Sequence, residues 1–195
     1  MKTFWIALRV TGVTLVLTGL AYPIASTGVA QLLFPRQAGG SLVADDKGTI
    51  VGSELIAQGF SKAVYFQERP SAAGEKGFDA TASSGSNYGT TSKKLRDRVV
   101  AELARLQAEN PDAPGPAPSE LVTTSASGLD PHLSPEGALW QVPRVAKARG
   151  VQPERVRQLV EAQVEGRELG FLGEPRVNVL LLNLALDRQF GRPGA

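Results

Sequence analysis

The sequence predicts an α+β soluble domain, made of helices and a few short strands, tethered by one amino-terminal transmembrane helix. Three observations carry this. From Val10 to Phe34 there is no Asp, Glu, Lys, Arg or His in twenty-five residues. A helix of that length crosses a hydrocarbon core of about 30 Å with some tilt. Downstream, apolar residues recur at helical spacing, as in Leu95, Val99, Leu103 and Leu106. Between such stretches lie short aliphatic runs bounded by turn residues, which read as short strands.

The totals limit the function classes. The 195 residues suffice for one span and one domain of ordinary size. A net charge of +2 is too small to argue for a nucleic-acid partner. The chain has no cysteine and a single histidine, His132. Disulfide frameworks, thiol catalysis, cysteine metal sites and multi-histidine metal sites are therefore excluded.

The amino-terminal stretch has two readings, anchor or signal peptide. Lys2 and Arg9 supply a basic start, and Gly28-Val29-Ala30 resembles a weak cleavage site. The uncharged run exceeds a signal core and continues through Gln31–Phe34, which favours an uncleaved anchor. Lysine and arginine flank both ends about equally (Lys2 and Arg9 against Arg36 and Lys47). A tail of nine residues is too short to hold a domain and most simply stays inside. The expected organisation is a cytoplasmic tail at 1–9, a transmembrane helix at 10–34 and an extracytoplasmic domain at 35–195. Gly12, Gly19 and Gly28 permit close helix approach in the lipid bilayer, and Pro23 removes a backbone bond and favours a kink.

In the soluble part, Ser41–Val51 carries two aliphatic runs around Asp45-Asp46-Lys47-Gly48 and predicts a β-hairpin. Val64-Tyr65-Phe66 predicts a short strand ended by Pro70. Phe78–Gly89 is small, polar and glycine-rich, and predicts a loop without the spacing of a P-loop. Thr91 or Ser92 caps a helix running to about Glu109, with Lys93, Lys94, Arg96, Arg98 and Arg105 on a solvated face. Asn110–Ser119 holds four prolines and predicts an external loop. Leu121–Thr124 reads as a strand. Ser134 and Pro135 open a helix that Gly150 terminates, with Pro143 arguing for a kink or two short helices. Pro153 opens the next helix, with Val156, Leu159, Val160 and Val164 on one face and an end near Gly166. The segment from Gly173 to Phe190 predicts a mostly buried helix, with a strand as the alternative.

Two constellations resemble catalytic or binding motifs. Ser125 or Ser127, Asp130 and His132 are the residue types of a hydrolase triad. They crowd into eight residues, Pro131 separates acid from base so that the two do not line up easily, and no Gly-x-Ser-x-Gly elbow exists. A membrane-tethered or secreted serine hydrolase is thus an alternative reading. The stretch from Pro143 to Glu161 resembles a helix-turn-helix, with Arg144, Lys147, Arg149, Arg155 and Arg157 as its basic face. A domain outside the membrane meets no DNA, so the expectation is an α-helical corner with arginines on its surface or on a partner.

Several stretches together resemble one family, the C subunit of the Kdp-type potassium-transporting P-type ATPase. They are the amino-terminal span, YFQERPSA at 65–72, ASSGSNYG at 82–89, VTTSASGLDPHLSPEGA at 122–138, QVPRVAKARGV at 141–151 and GEPRVNVLLLNLAL at 173–186. Tyr88-Gly89-Thr90 departs from the Gly-Pro usual there. The resemblance implies a non-catalytic accessory subunit, in a bacterial inner membrane, of a complex that imports potassium. Its implied partners are a channel-like potassium-binding subunit, a P-type ATP-hydrolysing subunit and the lipid bilayer, with no nucleic acid. It also implies a catalytic chaperone that raises ATP affinity in the ATP-hydrolysing subunit. The chain itself has no DKTG phosphorylation motif and no Walker sequence. No firmly bound cofactor is expected; ATP is a possible ligand through the complex. If ATP touches this chain, the small-residue loops are the candidate sites: Ser83, Ser84, Gly85, Ser86 and Asn87, with Ser125, Ser127 and Gly128. The alternative is that these loops are turns packed on each other or on the channel subunit. The two implied roles conflict, because an ATP role wants the domain in the cytoplasm and the amino terminus places it outside.

Overall fold

The computed structural model describes residues 1–192, in two units that divide after Val43. The first unit is helical. Helix α1 (Lys2–Val16) passes through a π-turn at Leu17–Ala21 into α2 (Tyr22–Leu33), and a single turn, α3 (Pro35–Ala38), follows. Helix therefore begins at Lys2, well before the uncharged run at Val10. By length and composition Lys2–Leu33 can cross a membrane, and none of its residues is buried in the protein. Pro23 leaves its mark as the π-turn: the proline ring clashes with the carbonyl four residues back, and a local π adjustment relieves it.

The expected hairpin forms from β1 (Leu42–Ala44) and β2 (Ile50–Ser53). In its turn Asp45 Oδ1 accepts from the N–H groups of Lys47 and Thr49, each at 2.9 Å.

In the second unit the helices follow their local signals. Helix α4 (Lys93–Glu109) is capped by Ser92, and Leu106 is its buried residue. Strand β3 (His132–Leu133) leads to α5 (Pro135–Arg149). There Ser134 Oγ accepts from Gly137 N–H at 3.0 Å and donates to Glu120 Oε1 at 2.6 Å. The carboxylate of Glu120 thus sits at the positive end of α5. Gly150 ends α5 at φ +67, a conformation that favours glycine, and Val151 N–H returns to Ala146 O at 3.0 Å. Helix α6 (Pro153–Ala162), β4 (Val164–Glu165), β5 (Arg176–Asn178) and α7 (Val179–Phe190) complete the unit.

Strand β5 is the centre of an antiparallel sheet ordered β3-β5-β4. His132 faces Asn178, and both Leu133 and Val164 face Val177. The core gathers Val142 and Val145 of α5, Val156 and Val160 of α6, Val177 of β5, and Leu182 and Leu186 of α7, all buried.

Several elements differ from the sequence expectation. Val64–Phe66 is not a strand: Tyr65 N–H closes a turn onto Lys62 O at 3.1 Å, and the carbonyls of the segment go to side chains, as described below. Leu121–Thr124 is not a strand either: a 3₁₀ turn at Ser119–Leu121 takes its start, and Leu121 and Val122 are buried. Helix α5 runs unbroken through Pro143, so the two-helix reading fails. Val164 lies in β4, because α6 stops at Ala162 and the sheet takes the residues beyond. The carboxyl-terminal segment is neither all helix nor all strand. It pairs as β5 and then turns into α7 at Asn178, whose side chain caps Leu181 N–H at 3.1 Å. The proline-rich loop is tied to the domain, since Asn110 Nδ2 donates to Trp140 O and Trp140 Nε1 donates to Gly115 O.

Candidate functional site

The segment Tyr65-Phe66-Gln67-Glu68-Arg69 lies outside any helix or strand and is held by side-chain amides. Phe66 N–H donates to Asn183 Oδ1 at 2.9 Å, and Asn183 Nδ2 donates back to Phe66 O at 3.0 Å. Gln141 does the same for the next residue. Gln67 N–H donates to its Oε1 at 2.8 Å, and its Nε2 donates to Gln67 O at 2.9 Å. A carboxamide presents one acceptor and one donor in a plane, as a neighbouring strand does, so α5 and α7 each replace one residue of a missing strand.

The arginines of the helix-turn-helix-like stretch serve the same segment. Arg144 donates to Ala63 O, Tyr65 O and Gln141 Oε1 at 2.7 to 3.1 Å. Burial lowers its pKa to about 10. Arg149 donates to Val64 O and Asp187 Oδ1 and lies over the Tyr65 ring. Arg155 covers Phe190, Arg157 pairs with Glu154, and Lys147 pairs with Asp112. Arg144 and Arg149 are thus internal supports, which corrects their expected place on a surface, and they form no face for a nucleic acid.

A cleft of about 490 Å³ opens beside this segment, lined by Phe60, Glu68, Arg69, Lys76, Phe78 and Arg105 among others. Glu68 is buried, and burial first, with Asp130 adding, raises its carboxyl to a pKa of about 8. One carboxyl oxygen accepts from Gln58 N–H at 3.3 Å, and the other has no partner. Arg105, expected on a solvated face, is clamped by Glu102, Glu109 and Gln67.

The two candidate phosphate loops meet. Ser84 N–H and Ser83 Oγ both donate to Ser127 O, at 2.9 and 3.0 Å, and Thr124 Oγ1 lies 3.2 Å from Ser86 Oγ. Ser125 and Ser127 face each other through their hydroxyls. Gly128 sits at φ +68, and a β-carbon there would lie 2.5 Å from Ser84 O. The structure therefore shows the loops as turns packed on each other. Among the described residues, the N–H groups left free of internal bonds in this pair of loops include those of Gly85, Ser86 and Asn87. Replacing Gly128 by Ala is expected to separate the loops and cost about 2 kcal/mol, read as a lower melting temperature of the full chain in detergent.

The acid and base of the triad-like cluster do pair, contrary to expectation. His132 Nδ1 lies 3.4 Å from Asp130 Oδ1, and His132 N–H donates to the same oxygen at 3.1 Å. In extended chain, residues two apart point the same way, so Pro131 brings the pair together. The hydrogen bond from His132, with the charge of Arg69 adding, holds the Asp130 carboxyl below its usual range. Among the described residues no serine hydroxyl bonds to His132. Its ring lines a separate cleft with Glu54, Glu165 and Arg176.

A last feature carried no sequence signal beyond its apolar letters. The turn after β4 exposes Leu169 (81%) and Phe171 (69%) to solvent. Two bonds of 2.9 Å between Glu168 and Leu172 close it, and Leu169 holds φ +52. Arg167 and Arg176 brace its base through Glu174, Glu165 and Glu168.

Residues 4–188 match the model of one family, KdpC, the K+-transporting ATPase c chain. The chain belongs to the KdpC family. Three relatives named potassium-transporting ATPase KdpC subunit show how completely it does so. The one from Myxococcus xanthus is 68% identical over 190 residues, covering 97% of this chain and 90% of that one. The one from Methylobacterium nodulans is 56% identical, covering 94% and 96%. The one from Rhodopseudomonas palustris is 54% identical, covering 93% and 94%. The KdpC match therefore takes in both the amino-terminal helix and the amide-latched domain.

Proposed function

We propose that the chain is a non-catalytic accessory subunit of an ATP-driven potassium import complex. The observation that carries this is the match to KdpC subunits over nearly the whole chain. In this reading residues 10–34 span a bacterial inner membrane, residues 1–9 face the cytoplasm, and the domain lies outside. Its partners are a channel-like potassium-binding subunit and a P-type ATP-hydrolysing subunit. The braced apolar turn at Leu169–Leu172 supports a docking role, because a monomeric domain gains nothing by holding such residues in water. By resemblance the subunit also raises the ATP affinity of the complex. If nucleotide reaches this chain, the amides of Gly85, Ser86 and Asn87 are the donors available to a phosphate.

The test is the complex purified with and without this chain. Loss of the subunit is expected to abolish potassium-dependent ATPase activity, or to leave a residue of it with a raised KM for ATP. Unchanged activity and KM overturn the accessory role. A reporter fused after Ala195 should be active only outside the cytoplasm; activity inside would reverse the orientation.

A further inference from the structure

The π-turn of the amino-terminal helix leaves a backbone group that lipid does not satisfy. Tyr22 N–H reaches back five residues to Leu17 O. It is therefore not given to Thr18 O, its ordinary partner in an α-helix. The next residue, Pro23, has no N–H. Thr18 O thus lacks a backbone donor at either spacing, and Gly19 O loses the donor four residues on. The Thr and Ser hydroxyls nearest the turn are committed elsewhere: Thr14 Oγ1 donates to Val10 O, Thr18 Oγ1 to Thr14 O and Ser26 Oγ to Pro23 O. In the hydrocarbon core an unsatisfied carbonyl costs several kcal/mol. The π-turn lies inside the uncharged stretch, about 12 Å of helix from Arg9. The approach is open, since a β-carbon on Gly19 would meet only Leu15 Cδ2, at 3.8 Å.

We propose that the π-turn is a docking notch for a transmembrane helix of another subunit, which places a hydroxyl or carboxamide donor on the carbonyl of Thr18. The inference rests on the span and the complex membership put forward above. A donor side chain is required because apolar packing alone leaves the Thr18 carbonyl unmet. A neighbouring helix is required because the missing side chain at Gly19 opens room for close backbone approach, which side chains bulkier than Gly would close.

The test uses the full chain in its complex, with ¹³C=¹⁸O placed at Thr18. The labelled amide band is expected to move to lower frequency on assembly. Gly19→Leu, which fills the approach, and Pro23→Ala, which restores the missing N–H, should each weaken retention of the chain by the ATP-hydrolysing and channel subunits about three- to thirtyfold. Val10→Leu, about half a turn away round the helix, should leave retention unchanged. Wild-type assembly without a band shift, or equal retention of both variants, overturns the notch while leaving the accessory role standing. A low-frequency band already present in the isolated monomer assigns the donor to water. A shift in a dimer of this chain alone assigns it to a second copy. Either result overturns the proposal. Failure of the wild-type chain to assemble overturns both the notch and the accessory role.

Discussion

Replacing Asn183 by Leu is expected to destabilise the soluble unit by about 2–6 kcal/mol. The estimate follows from two orphaned groups, the N–H and the C=O of Phe66, each costing about 1–3 kcal/mol when buried without a partner. Both are now served by Asn183, which is 2% exposed. Leucine has the branching of asparagine with bulkier ends, so the loss reports the hydrogen bonds and some crowding, not a cavity. Thermal or urea unfolding of the full chain in detergent measures it. Asn183→Asp separates the two bonds, because it keeps the acceptor for Phe66 N–H and removes the donor for Phe66 O. Leucine and aspartate variants as stable as the parent would show that the latch contributes nothing.

This latch also explains which parts of the fold were legible in the sequence. Helix ends are set by neighbours in the chain, so Ser92, Ser134-Pro135 and Gly150 announced α4 and α5 correctly. Val64-Tyr65-Phe66 has strand composition, but the side chains that take its carbonyls lie 79 to 117 residues away on helices. Local pattern records that the residues suit a strand; it does not record that distant side chains take their backbone groups instead. The sheet was missed for a related reason. Strands β3, β4 and β5 hold two or three residues each, too few for an alternating pattern, and Val177 alone takes both Leu133 and Val164 as neighbours. The arginines between Arg144 and Arg157 look alike as letters. Only packing separates Arg144, which is buried, from Arg157, which is exposed.

The candidate loops show the same limit. Their small residues indicated close approach, and that approach is realised between the loops themselves, at Gly128 and Ser84. The pairing of Asp130 with His132 needed only the two-residue repeat of extended chain. Glu68 stood in view within Gln67-Glu68-Arg69-Pro70, but burial, the property that makes it unusual, comes from distant elements.

The second large effect is the pH dependence that Glu68 imposes. Its carboxyl titrates near 8 in the folded chain, against an ordinary value of 4.5, because burial disfavours the charge. Between those values the folded state holds a proton that the unfolded state has released. Stability therefore falls as pH rises: the contribution is complete below pH 4.5 and is lost by the time pH passes 8. At about 1.4 kcal/mol per pKa unit the change is at most about 5 kcal/mol, and water in the adjoining cleft makes about 2–4 kcal/mol the expected loss. The hydrogen bond from Gln58 N–H opposes the burial effect, whereas Asp130 reinforces it. Glu68→Gln keeps an oxygen for Gln58 N–H and cannot ionise. Its melting temperature should vary less between pH 6 and pH 9 than that of the parent, and should exceed the parent's at pH 9. An equal decline in both proteins would place the titrating group elsewhere. A parent whose stability is flat over this range would mean that Glu68 is already ionised at neutral pH, with its free oxygen partnered by water in the cleft.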